Sequence, residues 1–475
     1  MRLLAGIAMI VAGLSLAACK GGGGGGGGVP VSIEINPKTM SMAAGTTLPI
    51  AVTVSGTSNT AVTWTVTGGG AISQSGLYAA PVSVTSATQV TIVATSVADT
   101  TKSATATVTV VPLAAYSRTF VPTAGSMAAS RAYHTATLLA NGRVLVAGGL
   151  SNGVATDSAE LYSFTPAFGN FSSGIKMGTK RAYHTATILA NGSVLLAGGL
   201  DASNSPVSTA ELFNPATKTF MATGNLTTAR WLHTATLLDD GRVLIAGGNS
   251  QAGPGVDGGV PLDAEIYNPV TGLFEAATGT MVARRYGHTA TALPDGKVLL
   301  SGGYGAGGAR LSDLETFNPA NGNFSATKGT GGVTSVLQTG RWLHTAGLMR
   351  DGRVVFVGGD AGVIAGPQNY LNSAESFDVI LGDITVLAGA MTDARAYHSS
   401  TLLADGSLLL AGGSNGAALM TAELFSPTTL TFAPAAGAMT HERLGHSATL
   451  LSNGKVLIVG GQNRQAFYSD AEVFQ

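Results

Sequence analysis

The chain has 475 residues, too many for one ordinary domain, so two or more folded units with cores of their own are expected. Glycine supplies 66 residues and charged residues only 11%, against a usual charged share of about 25%, which is the profile of a turn-rich all-β protein. A formal net charge of −1 leaves no electrostatic footprint for nucleic acid or an anionic membrane surface, and nucleic acid is excluded as a partner.

Residues 1–18 read as a signal peptide, because Arg2 precedes an apolar run over 3–18 that is too short to span a bilayer comfortably. The run ends at Leu16-Ala17-Ala18-Cys19, which resembles the bacterial lipobox. That resemblance implies cleavage before Cys19 and lipidation of its sulfur. Cys19 is the only cysteine, so no disulfide can form within one chain. The acyl chains implied would hold the protein on a membrane almost permanently, anchored and not spanning. By analogy with enteric sorting, Lys20 in place of Asp favours the outer membrane if the host is Gram-negative. Residues 21–28 are eight glycines, a flexible tether of roughly 16 Å root-mean-square length. The lipidated cysteine and tether thus occupy 19–28.

Residues 29–111 show short strand-like segments with alternating β-branched residues between Gly, Ser and Asn clusters, the pattern of a small β-sandwich. Trp64, in mid-strand, reads as a core residue between two sheets, with a sugar-stacking platform as the alternative. Trp64, the stretch from Ser75 to Pro81 and the closing alternation from Ala104 to Val110 resemble the bacterial group 2 Ig-like domains of secreted and surface proteins. The resemblance implies a spacer.

From residue 112 to 475 one unit repeats seven times. Its first landmark is Arg-x-x-His, at Arg131/His134, Arg181/His184, Arg230/His233, Arg285/His288, Arg341/His344, Arg395/His398 and Arg443/His446. Seventeen positions after each Arg stands a Gly-Gly pair beginning at Gly148, Gly198, Gly247, Gly302, Gly358, Gly412 or Gly460. Asn-Gly or Asp-Gly lies midway, as at Asn141-Gly142 and Asp240-Gly241, and predicts a hairpin with a type I′ turn. A glutamate opens a third strand, at Glu160, Glu211, Glu265, Glu315, Glu375, Glu423 and Glu472, and an aromatic such as Phe220 leads into a fourth. Four antiparallel strands per repeat make a propeller blade. The last repeat stops after its third strand while 116–127 holds an orphan fourth, so joining them closes a ring and removes exposed edges.

Double glycine, preceding hairpin, third-strand Glu and a period of 48 to 56 residues together resemble the kelch repeat. The resemblance implies a seven-bladed kelch-type β-propeller behind an Ig-like sandwich, closed by the 116–127 strand. The Arg and Glu series reads as one strand-bridging ion pair per blade, and the histidines as hydrogen-bonded structural groups. Arg395-Ala396-Tyr397-His398-Ser399, with Asp405-Gly406 and Gly412-Gly413, is similar to the galactose oxidase segment carrying a copper-ligand Tyr-His pair. Tyr-His recurs at Tyr133/His134 and Tyr183/His184, however, and that family's radical cofactor needs a cysteine bonded to tyrosine. No metal and no cofactor are expected.

Length variation between repeats is confined to one loop face. Gly-Gly to Glu takes 18 residues in repeat three and 17 in repeat five, against 11 to 13 elsewhere, and Glu315 to Arg341 takes 26 against 19 to 21. Insertions on a rigid scaffold are where ligand contacts usually sit. Asn249, Gln251 and Asp257, Tyr304 and Arg310, and Asp360, Gln368, Asn369 and Tyr370 are the candidate ligand-binding residues. The expected function is that of a membrane-anchored cell-envelope binding or scaffold module holding a protein or glycan. A non-radical carbohydrate-active enzyme of epimerase or lyase type, with a pocket on the same face, and a purely structural spacer are the alternatives.

Overall fold

The computed structural model describes residues 30–115, 117–164, 169–252, 259–362 and 368–475. The expected signal peptide, Cys19, the glycine tether, Tyr116 and Asp257 lie outside these residues. The chain is all-β: helix among the described residues amounts to the 3-10 turns Ala306–Gly308 and Thr330–Gly332 and the single residue Gly259. No helix of the described residues is long and apolar enough to cross a membrane.

In the N-terminal segment, Ser32–Asn36 pairs with Ala51–Ser55. A four-stranded sheet runs Thr39–Ala43, Ser103–Val111, Thr88–Ser96, Val62–Thr67, its first pair parallel. Thr47–Pro49, Leu77–Ala79 and Ala71–Ile72 form a third sheet. Period-two alternation points Val90, Ile92 and Ala94, and opposite them Ala106, Val108 and Val110, into one core with Ile35, Val52, Leu48 and Tyr78. Trp64 lies on the edge strand, half-buried, with one side against this core.

Beyond it come seven four-stranded antiparallel sheets. Repeat one uses Thr135–Leu138, Val144–Ala147, Ser158–Ser163 and Asn170–Lys176 in that order. The sheet of repeat seven, Ser447–Leu450, Val456–Val459 and Ala471–Phe474, takes its fourth strand from Phe120–Pro122, with Phe120 opposite Phe474. All four residues of Val144–Ala147 are buried, as in the matching strand of every other repeat except for Arg353 at the start of the fifth. Each sheet is covered on both faces, which is why these strands read as continuous apolar runs. Leu145 and Ala147 pack with Val194, Leu196 and Phe213 of the next repeat. Leu457 and Val459 of repeat seven pack likewise with Val144, Val146 and Tyr162 of repeat one.

The turns differ from the type I′ expectation. Gly142 has φ 77° but Asn141 is not in the left-handed region, and the Leu139 N–H donates to the Arg143 carbonyl. This is a type I turn followed by a glycine bulge. The reason is local: Asn141 Oδ1 accepts the Arg143 N–H, and the equivalent Asn or Asp does the same in all seven repeats.

The N-terminal segment sits against these turns. Ala43 N–H donates to the Ser452 carbonyl at 2.7 Å, Val52 N–H to Ala190 at 2.9 Å, and Arg350 Nη2 to the Gly45 carbonyl at 2.9 Å. It therefore spans repeats two, five and seven on the turn face, and the loops after Gly-Gly lie opposite.

Candidate functional site: an aromatic belt on the loop face

The site rests on the Arg-x-x-His segment. Each arginine is fully buried and meets the glutamate of its own repeat at 2.5 to 2.8 Å. Its Nη1 donates to the first glycine carbonyl, as Arg131 does to Gly148 at 2.9 Å. The glutamate also accepts backbone N–H groups just before the arginine, as Glu211 does from Gly178 and Thr179. Burial draws the Arg131, Arg181, Arg285 and Arg341 guanidinium groups below their usual range, against the pull of their glutamates.

The histidines form a second ring. His184 Nε2 lies 3.0 Å from Thr135 Oγ1 of the preceding repeat, and His134 Nε2 is 2.8 Å from Ser447 Oγ, so the seventh repeat serves the first. Burial, then the adjacent arginine, drives the imidazoles far down, His233 and His446 to about 3. They are neutral at physiological pH. The first glycine of each pair leaves room for this ring: a Cβ on Gly148 would stand 2.4 Å from the Arg181 carbonyl oxygen and 2.7 Å from His184.

Between Arg and His lie two positions that carry the aromatic rings. In repeats one, two and six they read Ala-Tyr, giving Tyr133, Tyr183 and Tyr397; in repeats three to five the first is aromatic, giving Trp231, Tyr286 and Trp342. The third residue of the motif has positive φ in every repeat, 51° to 63°, including Leu232 and Leu343. Such strain costs on the order of 1–2 kcal/mol for a non-glycine residue. In repeats one to six it turns the N–H toward the preceding repeat: Tyr133 donates to Gly445, Tyr183 to Tyr133, and Leu343 to Gly287.

The rings then touch in sequence. Tyr133 and Tyr183 stack at 4.3 Å between centroids, Tyr397 meets Tyr133 at 6.2 Å, and Trp231 meets Tyr183 at 5.4 Å. Tyr286 continues to Trp342 at 6.1 Å. Gly445 supplies the space in repeat seven, where a Cβ would lie 2.7 Å from the Tyr133 ring. At the centre is a cavity of about 240 Å³ lined by Tyr133, Tyr397, Leu232, Leu343 and four of the neutral histidines, His233, His288, His344 and His398. Burial raises the Tyr133, Tyr183 and Tyr397 phenols above their usual range, so they are protonated and able to donate.

The loop residues expected to contact a ligand divide into two groups. Asn249 is fully buried and accepts the Gln251 N–H, while Asp360 accepts the Trp342 indole N–H at 3.1 Å and the Gly362 and Asn369 amides. Tyr304 is buried between Tyr286 and Trp342. These three build the loops and are not presented to a ligand. Gln251, Gln368 and Asn369 are exposed, and Tyr370 is half-buried. Arg310 lies 4.6 Å from the Tyr304 ring and 5.0 Å from Trp342, its Nη1 on the Gly308 carbonyl and its buried Nε and Nη2 without a partner. Trp231, Tyr286 and Trp342 are buried like Tyr304, so the half-buried Tyr133, Tyr183 and Tyr397 are the part of the belt open to a ligand; they were missed as a site, and the variable positions inside Arg-x-x-His are the signal that could have found them.

No family model matches the chain, and no curated protein matches it. Among solved structures it is similar to a fungal alcohol oxidase of the AA5 family, described in complex with copper, at 17% identity and a TM-score of 0.58, with 75% of each chain covered. It is also similar to YjhT, at 15% identity and a TM-score of 0.50, over 65% of this chain and 98% of that one. The fold is propeller-like. At these identities the likeness carries the fold alone.

The residues do not fit the copper that the galactose oxidase likeness implies. His398 Nε2 is 2.8 Å from the Thr345 hydroxyl, the same bond that His184 and His233 make to Thr135 and Thr185. Among the described residues no three His, Cys, Asp or Glu side chains converge to hold a metal ion.

Proposed function

We propose that the chain is a lipid-anchored cell-envelope protein, a seven-bladed kelch-type β-propeller closed by the strand within 116–127 and preceded by an Ig-like sandwich. It acts as a binding or scaffold module through the loop face, holding a protein or a glycan. The observation that carries this reading is the half-buried tyrosine cluster of Tyr133, Tyr183 and Tyr397, polar-tipped and largely pre-formed, together with the two unpartnered N–H donors of Arg310 on the same loop face. Because the N-terminal unit occupies the turn face, the loop face lies on the side away from that unit.

The test has two arms. Cys19→Ser should move the protein from carbonate-washed membranes to the soluble fraction; retention in membranes overturns the anchor. The soluble fragment from residue 30 onward is then screened on a glycan array and by cross-linking to envelope proteins, beside a Tyr133→Ala/Tyr183→Ala variant. Binding lost in the variant supports the loop face, and undiminished binding moves the site elsewhere.

A further inference from the structure

The seam between the N-terminal unit and the turn face holds a cleft of about 720 Å³ against repeats two and three. A second cavity of about 490 Å³ continues it toward repeat one. Both are lined by Thr53 and Asn191, so together they form one groove beside the Val52–Ala190 backbone hydrogen bond. Hydrogen bonds to repeats two, five and seven fix its two walls, which makes the groove pre-formed.

Trp64 forms part of one wall. Its indole N–H is taken by the Gln74 carbonyl at 3.3 Å and one side packs on the core, so the ring is fixed in place where it lines the cleft. Asp239 lines the same cleft, exposed, with no hydrogen-bond or ion-pair partner among the described residues. Asn59 and Asn191 use their Oδ1 atoms on the Ala61 and Ser193 amides, which leaves their Nδ2 groups as donors. Glu34 lines the continuation.

Charge then decides the ligand. Among the described residues no Lys or Arg lines either cavity, whereas Glu34, Asp239 and Asp240 do, Asp240 being paired with Arg242 and the other two having no ion-pair partner. The unpaired Glu34 and Asp239 carboxylates repel a phosphate, sulfate or uronate, and they accept hydroxyl hydrogen bonds well. A fixed indole offers its apolar face to the C–H side of a pyranose ring, and amide donors satisfy ring and hydroxyl oxygens. We propose that this groove is a binding site for a neutral oligosaccharide several sugars long, separate from the loop face.

The test uses the full chain and isothermal titration with neutral hexasaccharides of glucose, mannose and N-acetylglucosamine, beside oligogalacturonate and a lysine-rich peptide. At least one neutral hexasaccharide should bind saturably; Trp64→Ala should weaken it roughly tenfold and Trp64→Phe much less. Asp239→Asn, at an exposed position, should weaken it severalfold with an unchanged melting temperature, which keeps the test valid if Trp64→Ala unfolds. Arg310→Met should leave this binding intact, separating it from the loop face. No neutral oligosaccharide bound, binding of only the anionic sugar or the peptide, or binding indifferent to both Trp64→Ala and Asp239→Asn overturns the proposal.

Discussion

The Gly461 N–H donates to the Arg131 carbonyl at 2.8 Å, joining the last repeat to the first. The same bond runs from Gly149 to Arg181 and from each second glycine to the next arginine. Gly461 has φ 96°, and a Cβ there would stand 2.9 Å from the His446 Cβ. Gly461→Ala should therefore destabilise the chain by about 1–3 kcal/mol, read from urea unfolding. Deleting 117–127 removes the Phe120–Phe474 contact and the Thr123 and Met127 amide bonds to Ala471 and Ser469. That deletion should lower the melting temperature more than removal of 30–111, and equal losses would contradict closure through this strand.

The second prediction concerns Arg230 and Glu265, both without exposed side-chain area and 2.7 Å apart. Glu265 also accepts the Thr227 and Thr228 N–H groups, so its loss strands three donors. Glu265→Ala should cost roughly 3–5 kcal/mol of unfolding free energy, and Arg230→Met combined with Glu265→Leu should recover part of that. A loss below about 1 kcal/mol would show that the pair is not needed.

Acid stability follows from the histidine ring. An unfolded histidine takes a proton near pH 6.5, whereas folded His233 and His446 do so only near 3. Between these values the unfolded state holds the extra protons, so stability falls as pH drops from 6.5 toward 3 and is regained as pH rises. His233→Gln should flatten this dependence by about 1.4 kcal/mol per pH unit, measured as the difference between variant and parent in urea titrations at several pH values. An unchanged slope would mean that His233 titrates alike in both states.

What the sequence discloses depends on whether a constraint recurs. Arg131, Gly148 and Glu160 have a counterpart in every repeat, and each local structural demand is thus stated seven times. The turn type was not legible, because Asn-Gly serves both a two-residue I′ turn and the three-residue bulged turn found here. Nor was the fate of Asn249 and Asp360: a polar residue in a long loop looks the same whether it faces a ligand or closes the loop on itself. The seat of the N-terminal unit rests on single bonds such as Val52 to Ala190, which no periodicity announces.

Arg310 separates a binding role from a structural one. Its guanidinium lies over Tyr304 and Trp342, a contact worth about 0.5–2 kcal/mol, while Nε and Nη2 are buried without partners, a cost of about 1–3 kcal/mol for each unsatisfied group. The cost equals or exceeds the gain, so the apo protein does not need the charge for stability. Methionine keeps the length and packs well against aromatic rings. Arg310→Met should leave the melting temperature unchanged or raise it, and should weaken the loop-face ligand by about tenfold or more, because the two N–H donors that a ligand acceptor would satisfy are lost. Scanning fluorimetry and a binding titration on the same sample read both effects. A variant that melts several degrees lower while binding unchanged would make Arg310 a packing residue and leave the tyrosine part of the belt to hold the ligand.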